Sequence, residues 1–321
     1  MAGRPRLLVS RRLPEAVMAR LETCFAVTTR PTTRPMSAGE ATSALEEYEA
    51  ILPTLGDTFT AGAFAAASRP RARILANFGV GYNHIDTAAA RAAGIAVTNT
   101  PGAVTDATAD IALALVLMSA RRLGEGERMV RAGKWQGWHP TQLLGLHITG
   151  KVLGVVGMGR IGRAIARRAH LGFGMKVVFF NRSAVADPGV PARQLPGLHD
   201  VMAAADVIVI AVPGGAETRH LIDAEALAAM RPQAHLVNIS RGDVVDESAL
   251  AAALEAGRIG GAGLDVHEHE PEVSERLRRL EKVVLLPHLG TNSEEVRTSM
   301  GMMAADNLEA FFAGKPLLNP V

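Results

Sequence analysis

"VVGMGRIG", Val155–Gly162, is an apolar run that breaks into glycines spaced Gly157-x-Gly159-x-x-Gly162. The residues leading into it, Val152–Val156, are apolar and β-prone and read as a strand. The arginine-studded stretch that follows, Arg160–Leu171, has the pattern of a helix. An ordinary glycine-rich turn is the bland reading, but strand, glycines and helix in this order point to a dinucleotide-binding turn. In such a turn Gly157 permits the tight bend, Gly159 lets a phosphate approach the backbone, and Gly162 lets the helix pack on the strand. The helix N-terminus then presents unpaired N–H groups and the positive end of its dipole to the phosphates.

The next apolar run, Lys176–Phe180, ends in Asn181-Arg182-Ser183. A site for NAD carries Asp or Glu about twenty residues past the glycines, bonded to the ribose hydroxyls. Here the acid is missing and a guanidinium stands in its place, which suits a 2′-phosphate. Asp187 comes after the strand end and is a poor substitute. NADP(H) is the preferred cofactor on this reading, with NAD(H) possible, and a plain exposed arginine is the competing interpretation.

Further β-prone runs follow at Val207–Val212, His235–Ile239, Gly261–Leu264 and Val283–Leu286, with helical patterns at Ala224–Met230 and Glu247–Glu255. The runs are almost continuously apolar, as in strands covered on both faces. An earlier series precedes them. Leu7–Ser10, Phe25–Thr29, Ala50–Thr54, Arg73–Phe78 and Ile95–Thr98 read as strands, and Pro14–Glu22, Ala38–Leu45, Thr60–Ala67 and Ile85–Ala93 as helices.

Alternation of this kind predicts an α/β protein of two doubly wound parallel-sheet domains. One is a flavodoxin-like substrate domain, the other a Rossmann nucleotide domain. Two long helical patterns, Asp106–Arg122 and Ser293–Phe312, take the chain across and back, so an interdomain cleft is expected. The substrate domain is expected over residues 1–103 and 290–321 and the nucleotide domain over 104–289. Residues 104–150 form a linking helix and a dimerisation region in this scheme.

The 321 residues suffice for two cores. Lys and Arg number 34 against 32 Asp and Glu, so no strong field draws the protein to nucleic acid or a membrane surface. The longest apolar run, Ile111–Met118, is too short to span a bilayer. Cys24 is the only cysteine, which excludes an intrachain disulfide and suits a reducing compartment; it is expected to be a buried, inert thiol. With no cleavable signal visible, a cytoplasmic protein is expected.

Three later stretches fall at expected strand ends, where α/β sheets place their ligands. They are "NISRGD" with Arg241, "LDVHEHEP" with Asp265 and Glu270, and "LLPHLGTN" with His288. Reducing a 2-oxo acid needs a cation to grip the carboxylate and polarise the carbonyl, and arginine has paired donors that match it. It also needs a proton donor, and histidine titrates in the working range. A carboxylate beside that histidine favours its charged form. Taken singly, these residues read as a surface charge, a loop acid and a core histidine; their common placement argues otherwise.

The stretches "GMGRIG", "SRGDVVDE", "GLDVHEHEP" and "PHLGT" resemble the signatures of the D-isomer-specific 2-hydroxyacid dehydrogenases. The likeness covers essentially the whole chain. "NFGVGYNHID", "NTPGAVTDATAD", "NRS" and "WQGWHP" are most similar to the glyoxylate/hydroxypyruvate reductase branch. The resemblance implies that Arg241, Glu270 and His288 are catalytic, that Asp265 contacts the nicotinamide, and that the Val80 and Gly81 amides hold the substrate carboxylate. The expected cofactor contacts extend over Gly157, Met158, Gly159, Arg160, Ile161, Gly162, Asn181, Arg182, Ser183, Val212, Pro213, Thr218, Ile239 and Thr108. Leu55 is a candidate for the substrate pocket.

In that branch a tryptophan of the "WQGWHP" region lines the neighbouring subunit's active site in a homodimer. Trp138 is the candidate here, with interface packing as the alternative role. His267 departs from the family, which more often has an aromatic residue there. His267-Glu268-His269-Glu270 lacks a third ligand at suitable spacing, so no metal site is expected.

These readings lead to an NADPH-preferring reductase of glyoxylate or hydroxypyruvate, producing glycolate or D-glycerate. Another dehydrogenase of the family, for D-lactate-like, branched 2-keto or phosphorylated acids, is the enzymatic alternative. A nucleotide-sensing interaction protein on the same fold is the alternative of a different class.

Overall fold

The computed structural model of the chain describes residues 3–321, which fall into two units. One runs to Val104 and includes Asn292–Val321; the other is Thr105–Thr291.

The first unit alternates β1 (Arg6–Val9), α1 (Glu15–Cys24), β2 (Ala26–Thr29), α2 (Ala38–Glu47), β3 (Ala50–Leu52), α3 (Ala61–Ala66), β4 (Ile74–Ala76), α4 (Thr87–Ala92) and β5 (Ala96–Thr98). The strands are parallel in the order β2-β1-β3-β4-β5, the flavodoxin-like winding. Successive residues of β1 serve opposite faces. Leu7 and Val9 pack with Val17, Leu21 and Leu52, whereas Leu8 packs with Leu45, Ile51 and Phe59. Both faces are covered, which is why these strands read as unbroken apolar runs. The helices start where local chemistry caps them. Ser37 and Glu40 form a reciprocal capping box at α2, and the side chains of Thr60 and Asp86 accept from backbone N–H groups at α3 and α4. Cys24 corrects one expectation: as the last residue of α1 it is exposed rather than buried.

The second unit holds α5 (Thr105–Ala120), α6 (Leu123–Arg131), β6 (Val152–Val156), α7 (Arg160–Phe173), β7 (Lys176–Phe180), β8 (Ala192–Gln194), α8 (Leu198–Ala204), β9 (Val207–Ile210), α9 (Ala224–Ala228), β10 (His235–Asn238), α10 (Glu247–Glu255), β11 (Gly261–Leu264), α11 (Glu275–Arg279) and β12 (Val283–Leu285). Its seven parallel strands run β12-β11-β10-β9-β6-β7-β8. Counted within this unit, the order is the Rossmann winding with one further strand at the β12 edge. The chain then returns to the first unit as α12 (Glu294–Phe312), which packs on α1 and β4. Gly301 makes that approach possible, because a Cβ there would sit 2.6 Å from Val17 Cγ2.

Four elements of the second unit were not anticipated from sequence: α6, β8, α8 and α11. The helix expected to continue to Arg122 stops at Ala120, and Arg122 turns into the left-handed region with φ 53°. No residue of α6 is buried, and Gly124 and Gly126 within it weaken the helical signal of its sequence. Beyond α6 the chain folds back on α5, where Leu146 N–H donates to the Ala120 carbonyl at 2.7 Å.

Candidate active site

β6 lies at the centre of its sheet, between β7 and β9, and its C-terminal end is the topological switch point. Gly157 leaves it with φ +98°, and a Cβ there would meet the Ala211 carbonyl oxygen at 2.7 Å. At Gly162 a Cβ would fall 2.1 Å from the Gly157 oxygen. The fold itself therefore needs both glycines. Gly159 differs: a Cβ there would meet nothing within 4 Å, which leaves the backbone open to an approaching group. No side chain caps α7, so its first-turn N–H groups are not taken up by a cap. These residues fit the pyrophosphate of a dinucleotide.

Around the turn, Met158 is buried in the core and offers only its backbone, while Arg160 is exposed and Ile161 half-buried at the start of α7. Val212 packs against Gly157, and the Pro213 carbonyl accepts from the Thr218 hydroxyl at 2.8 Å. Ile239 is buried at the end of β10. The Asn181 amide donates to the carbonyl and hydroxyl of Ser183, and Arg182 is exposed and ion-paired with Glu217. Thr108, expected at the cofactor, gives its hydroxyl to the Gly290 carbonyl at 3.1 Å.

Arg241, Glu270 and His288 follow β10, β11 and β12, three neighbouring strands. The loops are locked together at the backbone. A Cβ on Gly242 would lie 1.9 Å from the His267 carbonyl carbon, so only glycine allows this crossing. The Arg241 stem packs against Gly214, and its Nη1 donates to the Ser240 carbonyl at 2.7 Å. Burial holds the guanidinium below its usual value, opposed by the charges of Glu270 and Asp243. An arginine stays protonated regardless, so the site keeps a fixed, partly desolvated cation.

His288 Nδ1 lies 3.0 Å and 3.2 Å from the two Glu270 carboxylate oxygens. Burial disfavours the Glu270 charge, but the His288 hydrogen bond and charge and the His267 N–H outweigh it. The carboxyl is therefore held below its ordinary value and is ionised near neutrality. An ionised carboxylate only accepts, so Nδ1 carries a proton and Nε2 is left for chemistry.

His288 has φ +56°, a left-handed conformation uncommon for a residue with a side chain. Asp265 holds it there. Its carbonyl accepts from His288 N–H at 2.8 Å, and its carboxylate accepts from the N–H groups of Leu289 at 2.6 Å and Gly290 at 2.9 Å. At 1 % exposure, Asp265 spends both oxygens on this loop, a role that sequence reasoning did not foresee.

His267 is buried. Its Nε2 donates to the Leu286 carbonyl at 2.9 Å, and its backbone N–H donates to Glu270 Oε1 at 3.1 Å. It thereby ties the glutamate's loop to the end of β12. Glu268 has its side chain mostly buried and bonded to His220 at 2.7 Å. Only the neighbouring motif residues hinted at either role.

In the first unit, Val80 and Gly81 stand in the loop after β4. Asn77 Nδ2 donates to the carbonyls of Gly79 and Gly81, and Asn99 Nδ2 to that of Val80. With its carbonyls held by side-chain amides, the loop's N–H groups suit an anion. Leu55 lies in the turn after β3, where its carbonyl accepts from Arg11 at 3.1 Å. Trp138, in the irregular segment after α6, is 79 % exposed.

The family profile of the D-isomer specific 2-hydroxyacid dehydrogenase NAD-binding domain matches residues 113–290. The chain is 42 % identical over 320 residues to a glyoxylate reductase of Thermococcus kodakarensis, covering 97 % of this chain and 94 % of that one.

The chain belongs to the D-isomer specific 2-hydroxyacid dehydrogenases.

A glyoxylate/hydroxypyruvate reductase of Arabidopsis thaliana shares 41 % identity with this dehydrogenase over 279 residues, 86 % of this chain and 88 % of that one. Among solved structures, an NADPH-dependent glyoxylate/hydroxypyruvate reductase of Sinorhizobium meliloti, in complex with NADP and malonate, superposes with a TM-score of 0.88. It shares 37 % identity and covers 99 % of this chain and 97 % of its own. The dehydrogenase is thus an NAD(P)-dependent oxidoreductase with the two parallel-sheet α/β domains of its family. Among the described residues no helix is long and apolar enough to cross a membrane.

Proposed function

We propose that this dehydrogenase reduces glyoxylate or hydroxypyruvate to glycolate or D-glycerate and prefers NADPH to NADH. The observation that carries the chemistry is the hydrogen-bonded His288–Glu270 pair, with Nε2 left over for the substrate. Arg241 binds the carboxylate of the 2-oxo acid and polarises its carbonyl. A dinucleotide held at the Gly157–Gly162 turn would supply the hydride for the carbonyl carbon. His288 Nε2 gives its proton to the carbonyl oxygen, and the neutral imidazole remains bonded to Glu270 through Nδ1. In the reverse direction the neutral ring takes that proton back.

The relatives named glyoxylate reductase and glyoxylate/hydroxypyruvate reductase support this substrate class. Arg182 at the end of β7, where an NAD site has an acid, supports NADPH. Leu123, Val130, Trp135, Trp138 and Leu144 are all exposed within one stretch, more apolar surface than a short segment leaves in water by chance. We read it as the contact surface of a homodimer, with Trp138 either packing in that contact or reaching the partner's substrate.

Steady-state kinetics with glyoxylate and hydroxypyruvate, each with NADPH and with NADH, test the proposal. Higher kcat/KM with NADPH on either acid is expected. Comparable efficiency on lactate-like or branched 2-oxo acids overturns the substrate assignment, and an NADH preference overturns that of the cofactor.

A further inference from the structure

Arg182 and Glu217 are far apart in sequence but form an ion pair. Their position follows from sheet order. β6 is hydrogen-bonded to β7 on one side and β9 on the other, right up to the glycine turn. Gly157 N–H donates to the Phe180 carbonyl at 2.9 Å, and Ala211 N–H to that of Val156 at 2.8 Å. The loops leaving β7 and β9 therefore flank the turn, and the Arg182–Glu217 pair joins them.

Both partners sit on turns with their own internal bonds. The Arg182 turn is closed by Asn181 and held to β8 by Gln194 Nε2, which donates to the carbonyls of Asn181 and Ser183 at 3.2 Å and 3.0 Å. The Glu217 turn is closed by the Thr218 hydroxyl on the Pro213 carbonyl, and by the Thr218 and Arg219 N–H groups on the Gly215 carbonyl at 3.0 Å and 3.1 Å. The two side chains meet because their backbones are set opposite each other.

We propose that Glu217 is a specificity-determining residue that competes with a 2′-phosphate for the Arg182 guanidinium and so tempers the preference for NADPH. This rests on the reading that a dinucleotide binds at the glycine turn with its 2′-phosphate at Arg182. A phosphate monoester must displace the carboxylate from Arg182 and lie beside its charge. A ribose hydroxyl, as in NADH, meets no such repulsion and can donate to the same carboxylate. Glu217 thus brings from the β9 loop the acid that β7 lacks, which places determinants for both cofactors side by side. With side chains 74 % and 78 % exposed, the pair is weak and displaceable, so its effect is several-fold rather than orders of magnitude.

Calorimetric dissociation constants for NADPH, NADH and 2′,5′-ADP, measured on the unmodified chain and on Glu217→Gln, test the proposal without relying on turnover. Glu217→Gln is expected to tighten NADPH and 2′,5′-ADP about threefold to fivefold and to leave NADH unchanged or weaker. Asp187→Asn, an equal charge change on the Arg182 loop, should leave the NADPH/NADH ratio within about twofold. A ratio unchanged or lowered in Glu217→Gln overturns the proposal, and so does an equal rise in Asp187→Asn. The ratio of the unmodified chain tests the NADPH preference separately, since an NADH-preferring parent can still gain NADPH affinity on losing Glu217.

Discussion

Asp265 holds His288 by its main chain rather than by its ring: the Asp265 carbonyl accepts the His288 N–H at 2.8 Å. The Asp265 carboxylate takes the next two N–H groups, those of Leu289 and Gly290. Asp265→Asn turns an amide NH₂ toward one of these donors and leaves a buried N–H without its acceptor. An unfolding free energy lower by about 1–3 kcal/mol is expected, together with lower turnover as His288 loses its left-handed geometry. Denaturant melts and kcat check this; unchanged stability contradicts the clamp.

Replacing His288 tests the proton donor. His288→Gln keeps a polar side chain of similar size but supplies no titrating acid. Turnover is expected to fall by roughly 10²–10⁴, while NADPH binds within about twofold of the parent, because the glycine turn is untouched. Near-normal turnover refutes the assignment.

The glycines of the turn separate into two kinds. Gly162→Ala forces a Cβ to within 2.1 Å of a carbonyl oxygen, so the chain should lose stability, by about 2 kcal/mol or more. Gly159→Ala meets nothing within 4 Å and should fold normally, yet bind dinucleotide at least about tenfold more weakly, because the methyl stands where phosphate approaches. Thermal melts and cofactor titrations on the pair distinguish these outcomes. Normal cofactor affinity in Gly159→Ala counts against phosphate contact there.

His235 makes the fold sensitive to acid. It is buried at the start of β10 with Nδ1 2.8 Å from the Ser119 hydroxyl. Burial, reinforced by the Lys282 charge, lowers its pKa from 6.5 to about 4. The unfolded chain thus binds a proton near pH 6.5 that the folded chain refuses until about pH 4. Stability contributed by the neutral ring is complete above the unfolded value and declines as pH falls through this window, by on the order of 3 kcal/mol. His235→Asn should flatten that slope in denaturant melts across the window; parallel losses in parent and variant rule the assignment out.

Dimerisation through the α6 region is checked by sedimentation. The parent should sediment as a dimer, and Trp135→Ser with Trp138→Ser should shift it toward monomer at micromolar concentration. A parent that sediments as a monomer removes the proposed surface contact.

Much of the fold was legible because its signals are local. Unbroken apolar runs such as Val152–Val156 announce strands covered on both faces. Elements without such signals escaped. α6 buries nothing, β8 is a three-residue edge strand, and α8 and α11 are short. The exposure of Cys24 was misjudged because a helix pattern does not say how its last turn meets the core.

The sequence by itself determined which residues stand at strand ends, since periodicity and glycine spacing depend on neighbours a few positions apart. Tertiary structure alone decided what those residues meet. The sequence already suggested Glu270 beside His288, but that Asp265 spends its carboxylate on the following loop and that Arg182 pairs with Glu217 follow from the order in which parallel strands lie side by side. That order is set by packing between distant segments of the chain, and no local pattern encodes it.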